Sequence, residues 1–422
     1  MQHHATEGPA AAKTFWRSVG VVLSGTVAAQ SIPLLGSLII ARLYAPAEFG
    51  LFSAWLGMAM MAAVIVTARF EMALAVEPDG EPRRFAVLAT LATVCVVSLL
   101  FLVIASAVYF SAGFSGHFTL LMLALFVPAT ALIGVTHTWQ AWAAAEGNYR
   151  GLSGIRIAQA FVVTAAQIGA GLISPSASGM MIGHVLGLAA GIGCAIYFMP
   201  LSVGHILSRR QFWHGVRAFW WRQRRFPLLA LPADTINAAA GQLPLLLITS
   251  RFGAEASGLF ALAIRVLGAP IGLLGAAVLD VFKRGASTSY RDKGNCRDEY
   301  VRTFWLLAVG GVLLAIGVML VAEPLFVLAF GEPWRQAGVV AIWLMPMFAL
   351  RFVASPLSYV FYIAGKQHVD LVWQCALLAM TLASFMLTSN FEAAIRFYSA
   401  GYGALYVVYA FLSFHYSKGV RP

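Results

Sequence analysis

The chain has 422 residues, 60% of them hydrophobic and only 11% charged, with a formal net charge of +11. A basic nucleic-acid-binding protein gathers its charge on a water-facing domain, and this chain has no polar stretch large enough to form one. Its solvent is instead a membrane: twelve apolar stretches of roughly 17 to 25 residues, each long enough to cross about 30 Å of hydrocarbon as an α-helix, take up most of the sequence.

The predicted spans lie at about 18–39, 50–70, 86–109, 119–140, 155–174, 179–199, 228–249, 258–281, 303–321, 339–363, 371–388 and 396–415. Backbone facing lipid must satisfy its own hydrogen bonds, so each span is expected to be helical. Met1 to Lys13 lacks the apolar core and cleavage site of a signal peptide, so the first span is expected to stay as an anchor. Sorting the basic residues by connection orients the chain. Lys13, Arg17, Arg83, Arg84, Arg150, Arg156, the cluster Arg209 to Arg225, the cluster Lys283 to Arg302, Lys366, Lys418 and Arg421 fall on one side, 21 of the 28 basic residues in all. Only Arg42, Arg251, Arg335 and Arg396 fall on the other. The excess of Lys and Arg on cytoplasmic loops then puts both termini in the cytoplasm. Cys95, Cys194, Cys296 and Cys375 form no CxxC pair and read as small buried apolar residues, not as disulfides or a metal cluster.

The second half repeats the first. Phe49-Gly50-Leu51-Phe52 opens span two, and Ser257-Gly258-Leu259-Phe260 opens span eight 208 positions later. Ala145-Glu146-Gly147-Asn148 after span four is echoed by Ile363-Ala364-Gly365-Lys366 after span ten. Repeats of six spans share one orientation, so their expected relation is an axis along the membrane normal. The expected organisation is an N-terminal segment (1–17), a first six-helix bundle (18–199), a basic linker (200–227), a second bundle (228–415) and a tail (416–422). In the linker Phe212, Trp213, Val216, Phe219 and Trp220 recur at helical spacing among six arginines. Two readings stand: a helix lying on anionic lipid, aromatic face in the headgroups, and a plain basic tether between repeats. In span six Gly179, Gly183, Gly187 and Gly191 recur every fourth residue, a smooth stripe for close helix packing.

Ionisable residues at membrane depth cost a few kcal/mol or more and face a cavity or a partner. Arg265 lies in span eight, Arg351 in span ten, and Arg69 and Glu71 close span two. Guanidinium is permanently charged and its fork matches phosphate oxygens, so the three arginines are candidates for binding an anionic substrate. The alternative is structural, with Arg69 paired to Glu71 or another acid. At offset 208 Gly57 stands opposite Arg265, and Ala277 opposite Arg69, so these charges do not belong to the repeated scaffold. Asp234, Glu71 and Asp280 are candidates for carrying a coupling proton or cation, since burial raises a carboxylate's pKa. Asp234 shares a face with Asn237 in a span interrupted by Pro227, Pro232 and Pro244, where freed carbonyls could help hold an ion; capping the helix after Pro232 is the competing role. No GxxxxGK[ST], HExxH or GxSxG is present, and the histidines are dispersed. Neither a cofactor nor a metal is expected.

The run Ala41-Arg42-Leu43-Tyr44-Ala45-Pro46-Ala47-Glu48-Phe49-Gly50-Leu51-Phe52, the segment Arg69-Phe70-Glu71-Met72-Ala73-Leu74, and Arg351 to Ser358 with Ala364-Gly365-Lys366-Gln367 resemble bacterial O-antigen and polysaccharide flippases. These belong to the multidrug, oligosaccharidyl-lipid and polysaccharide exporter superfamily. The resemblance covers essentially the whole chain. It implies an all-α membrane protein of twelve helices in two bundles around a cavity that opens alternately to each side. It also implies a substrate, an oligosaccharide linked through pyrophosphate to undecaprenol, moved from the cytoplasmic to the periplasmic leaflet of the inner membrane for O-antigen, capsule or exopolysaccharide synthesis. Arg265 and Arg351 are the positions to which cavity-lining arginines of such a family map most naturally. Implied partners are the lipid-linked glycan, H+ or Na+, anionic lipids and polysaccharide-synthesis enzymes, with no nucleic acid. The alternatives are an ion-coupled drug or metabolite antiporter of the same superfamily, and a membrane glycan polymerase or ligase.

Overall fold

In the computed structural model, residues 9–112, 120–201 and 209–419 are described. His3, His4, His117, His205 and Arg421, with parts of the expected N-terminal segment, linker and tail, lie outside the described residues. In chain order the helices are α1 (Pro9–Leu43), α2 (Pro46–Val66), α3 (Glu81–Ala112), α4 (Leu120–Ala145), α5 (Tyr149–Ile173), α6 (Ala177–Phe198), α7 (Arg209–Arg222), α8 (Leu231–Lys293), α9 (Arg297–Phe330), α10 (Arg335–Leu357), the short α11 (Val360–Ile363), α12 (Gln367–Leu387) and α13 (Phe391–Ser417). There is no strand among the described residues, as lipid demands of backbone that must bond to itself.

Among the described residues ten runs are long and apolar enough to cross a membrane. One of them, Phe226–Lys293, holds two helices, because α8 breaks at Gly253, whose φ of 90° and ψ of 173° belong to no helix and suit only glycine. The apolar part of α1, Val27–Leu43, supplies the remaining span. The chain is therefore a multi-pass membrane protein of twelve transmembrane helices. The stretch 322–338 between the ninth and tenth predicted spans is itself largely helical: α9 continues to Phe330 and a 3-10 turn at Glu332–Trp334 leads directly into α10. Of the four cysteines, Cys296 is buried, whereas Cys95 and Cys375 are exposed on the protein surface.

By packing, the chain forms two compact units. The first holds Met1–Tyr44 and Trp55–Gln242, the second Ala45–Ala54 and Leu243–Pro422. This division falls inside α2 and α8, whereas the linker expected at 200–227 docks on the first unit. Val216 and Phe219 of α7 are buried in one core with Phe70, Trp139 and Trp142. Phe212 meets Phe85, and Trp220 Nε1 donates to Thr93 Oγ1 at 2.8 Å. Arg222 and Gln223 both donate to the buried carboxylate of Glu77. Of the face expected in the headgroups, Phe212, Val216, Phe219 and Trp220 thus pack on protein while Trp213 stays exposed, because apolar residues at helical spacing mark a buried stripe whatever covers it.

The repeat read from the sequence has a local counterpart. Gly147 and Gly365 both have φ of +67°. Asn148 N–H donates to Ala143 and Gly147 N–H to Ala144, while Lys366 donates to Phe361 and Gly365 to Tyr362. Both helices α4 and α11 therefore end in the same Schellman turn, in which the left-handed glycine lets two N–H groups cap the last carbonyls.

The glycine stripe of α6 meets α5. A Cβ at Gly183 would lie 2.9 Å from Gln167 N, one at Gly187 2.5 Å from Val163 Cα, and one at Gly191 3.0 Å from Gln159 Cβ. At Gly187 the obstacle is backbone, so Gly187→Ala must push α5 and α6 apart, at a cost of about 1–3 kcal/mol. A thermal melt in detergent should fall for Gly187→Ala and stay at the wild-type midpoint for Gly193→Ala, which faces open space.

Candidate functional site

Two charged sites lie at membrane depth, one in each unit. In the first, α2 ends at Val66 and the chain turns through two consecutive non-glycine residues of left-handed backbone, Ala68 (φ 47°) and Arg69 (φ 60°). A six-residue 3-10 turn, Phe70–Ala75, follows and packs against α3, α4 and a π turn at Phe226–Ala230 that leads into α8. Left-handed non-glycine backbone costs about 1–3 kcal/mol per residue and persists where the surroundings impose it; π turns likewise concentrate at functional positions.

The turn aims Arg69 at two acids. Its Nε donates to Asp234 Oδ2 at 2.6 Å and its Nη1 to Glu71 Oε1 at 2.9 Å. Asp234 therefore does not act as the helix cap that was one of its two readings; its carboxylate serves Arg69, and its helix is already under way in the π turn upstream. Glu71 is 6% exposed, and its second oxygen, Oε2, is buried with no hydrogen-bond partner among the described residues. His137 of α4 lies within electrostatic range of both Arg69 and Glu71. Four titratable or charged groups thus share one place, with one carboxylate oxygen left over. Arg69 supplies the fixed positive charge of this cluster.

In the second unit the second arm of α8 (254–293) and α10 enclose a cavity of about 450 Å3 lined by Gly268, Gly272, Gly275, Phe348, Arg351 and Pro356, among others. No atom stands within 4 Å of where a Cβ at Gly268 or Gly272 would be, so the absence of side chains there opens the wall. Arg351 is exposed, meets no carboxylate among the described residues, and lies within electrostatic range of Tyr398 and Tyr406 of α13. Arg265 follows Ile264, a lining residue, and its Cζ sits over the Phe49 ring 5.2 Å from the centroid. No acceptor among the described residues takes its N–H groups.

The structure therefore brings Arg69, Glu71 and Asp234 together and places Arg265 and Arg351 in the other unit. Of the two readings open for Arg69, the paired one describes its state. Asp280 and Asn237 are exposed and belong to neither cluster. His137, Phe49 and Tyr406 are partners that sequence reasoning missed. His137 carried a signal, as a lone titratable group within an apolar span; the two aromatics carried none, since aromatic residues abound in every span.

Comparison with known proteins sets these sites in context. Residues 39–339 match the family model described as polysaccharide biosynthesis protein. The chain belongs to that family. A curated relative, the teichuronic acid biosynthesis protein TuaB of Bacillus subtilis (strain 168), is 22% identical over 209 residues, 45% of this chain and 43% of TuaB, so the match spans under half of that relative's length. Solved structures with a similar fold are transporters. An inward-facing multidrug resistance MATE family transporter of the MOP superfamily aligns over 91% of this chain and 93% of its own, with a TM-score of 0.64 at 12% identity. The MATE multidrug transporter DinF-BH aligns over 94% and 93%, with a TM-score of 0.59 at 15% identity. A MOP superfamily transporter from Pyrococcus furiosus Vc1, described by the reverse polarity of its binding pocket, aligns over 94% and 93%, with a TM-score of 0.54 at 11% identity. The family member thus has the all-α membrane fold of these proteins, with twelve helices in two bundles.

Breaking the Arg69 cluster by Arg69→Ala leaves two carboxylates at membrane depth without their cation. The loss should stay below the ~3–5 kcal/mol of a fully buried pair, because the Arg69 and Asp234 side chains keep 21% and 32% of their exposure. Melting in detergent should show a marked drop for Arg69→Ala and partial recovery in the triple variant with Glu71→Gln and Asp234→Asn, which removes the uncompensated charges.

Proposed function

We propose that this polysaccharide-family transporter flips an oligosaccharide linked through pyrophosphate to undecaprenol, from the cytoplasmic to the periplasmic leaflet, by alternating access. The observation that carries the reading is Arg351, exposed in a cavity of about 450 Å3 with no carboxylate beside it. A cation antiporter needs acid in its substrate cavity, whereas an uncompensated guanidinium fork suits phosphate oxygens. Arg265, also without an acidic partner among the described residues, is the second phosphate ligand. Sugar cannot cross hydrocarbon unaided, so the polar head needs such a path while the lipid stays in the bilayer.

The Arg69–Glu71–Asp234 cluster is the coupling site of this reading. With Arg69 in place as the counter-ion, the cluster favours a proton over Na+, and the unpartnered Glu71 oxygen is where it binds. The chain resides in the bacterial inner membrane with both termini in the cytoplasm, the side carrying 21 of 28 basic residues. The open side of α7, Arg217 and Trp221, with Arg224 and Arg225 just beyond its end, then meets anionic headgroups.

Arg351→Ala and Arg265→Ala should each abolish surface glycan in cells while membrane levels remain normal, with only partial activity from Lys, which lacks the fork. Wild-type glycan in both variants would sink the assignment. In proteoliposomes, Glu71→Gln and Asp234→Asn should remove the response of translocation to an imposed pH gradient, and a retained response would move coupling elsewhere.

A further inference from the structure

The start of α2 and the start of the second arm of α8 cross with their backbones in contact. A Cβ at Gly50 would lie 1.9 Å from Ala254 O, and one at Gly258 1.9 Å from Pro46 O. These are the two glycines of the repeated motif. Ser257 Oγ, which accepts from Thr249 Oγ1 at 2.8 Å, reaches the Gly50 carbonyl at 3.5 Å. Immediately beside the crossing, Phe49 is fully buried, edge-on to Trp334 with centroids 5.5 Å apart, and beneath Arg265. The residues that carry it, Ala45–Ala54, pack with the second unit, while the rest of α2 packs with the first.

We propose that Phe49 is a positioning residue of the anion site: its ring holds the Arg265 guanidinium with the N–H groups turned to phosphate oxygens, and only while the Gly50–Gly258 crossing is closed. The inference rests on the reading of Arg265 as a phosphate ligand. An arginine loses rotamer freedom when it binds. A ring that already fixes the guanidinium, and adds a cation–π attraction, lowers that cost and tightens anion binding. The ring rides on α2, so separating the crossing withdraws it and weakens the site. By linkage the reverse holds as well, and a bound anion stabilises the closed crossing. A transporter needs such an arrangement, tight in one state and loose in the other.

The test uses inorganic pyrophosphate and the purified full-length protein in detergent. Titration calorimetry should show binding roughly fivefold weaker for Phe49→Leu, within the range a cation–π contact supplies, and near wild type for Phe49→Tyr, which keeps the ring. Gly50→Ala, which forces the crossing apart and leaves Phe49 and Arg265 unchanged, should weaken binding too. Spin labels at Ala45→Cys and Glu255→Cys, in a background with the native cysteines replaced by Ser, should shift to shorter separations on adding pyrophosphate, and not do so with Phe49→Leu. Wild-type affinity in both Phe49→Leu and Gly50→Ala, or label separations indifferent to pyrophosphate, would overturn the positioning role. Arg265→Ala separates the two failures. Wild-type affinity there defeats the phosphate-ligand reading itself, whereas lost affinity beside an unaffected Phe49→Leu defeats only the part given to Phe49.

Discussion

A guanidinium at membrane depth must find something other than water to face, and three arginines in this chain answer that demand in three ways. Arg69 takes two carboxylates, at 2.6 and 2.9 Å. Arg265 takes an aromatic ring. Arg351 takes an open cavity with tyrosine hydroxyls in electrostatic range. The answers differ in what they leave available. A guanidinium satisfied by two acids has little to offer an anion, whereas one held on a ring or facing a cavity keeps its N–H donors. Partner type, more than depth, therefore separates the arginine whose charge is neutralised from the two whose donors remain available.

The same constraint explains how much was legible in the sequence. Lipid forces backbone to bond to itself, so apolar length alone located the spans, and α8 was read as two spans although its helix runs from Leu231 to Lys293 with a single break. Glycine can be read too, because its need is local. The φ of +67° at both Gly147 and Gly365, and the crossing at Gly50 and Gly258, fall on the motifs that revealed the repeat. Partners were not legible, because they depend on which helices meet. Arg69 and Asp234 stand 165 residues apart and bond directly. The aromatic stripe of α7 has the pattern of a surface helix, and only the structure shows Phe70, Trp139 and Trp142 covering it.

Backbone irregularity clusters where charge does. The left-handed pair Ala68 and Arg69, the 3-10 turn after it and the π turn before α8 surround one ion cluster, while most of the remaining chain is regular helix. A straight α2 would carry Arg69 along the helix face. The left-handed turn instead swings it to within bonding distance of both Glu71, two residues on, and Asp234. The left-handed backbone and the buried unpartnered oxygen of Glu71 are two costs at one place, and such costs persist only where the surroundings impose them.

The repeat supplies the scaffold, and function follows from departures from it. Both halves keep the crossing glycines and the Schellman turns, yet at the position matching Arg265 the first half has Gly57, where a Cβ would already lie 2.8 Å from Gln242 Oε1. A side chain there would first have to move the end of Gln242. Conversely, Ala277 stands where the acid-paired Arg69 would repeat. The two halves thus set their deep arginines differently: Arg69 is tethered between two acids in the first unit, while Arg265 and Arg351 meet no acid among the described residues in the second. A symmetric pair of sites would bind the same ligand twice. The broken symmetry instead leaves an acid-paired arginine in one unit and two arginines without acid partners among the described residues in the other, so the two sites present different charge to whatever meets them.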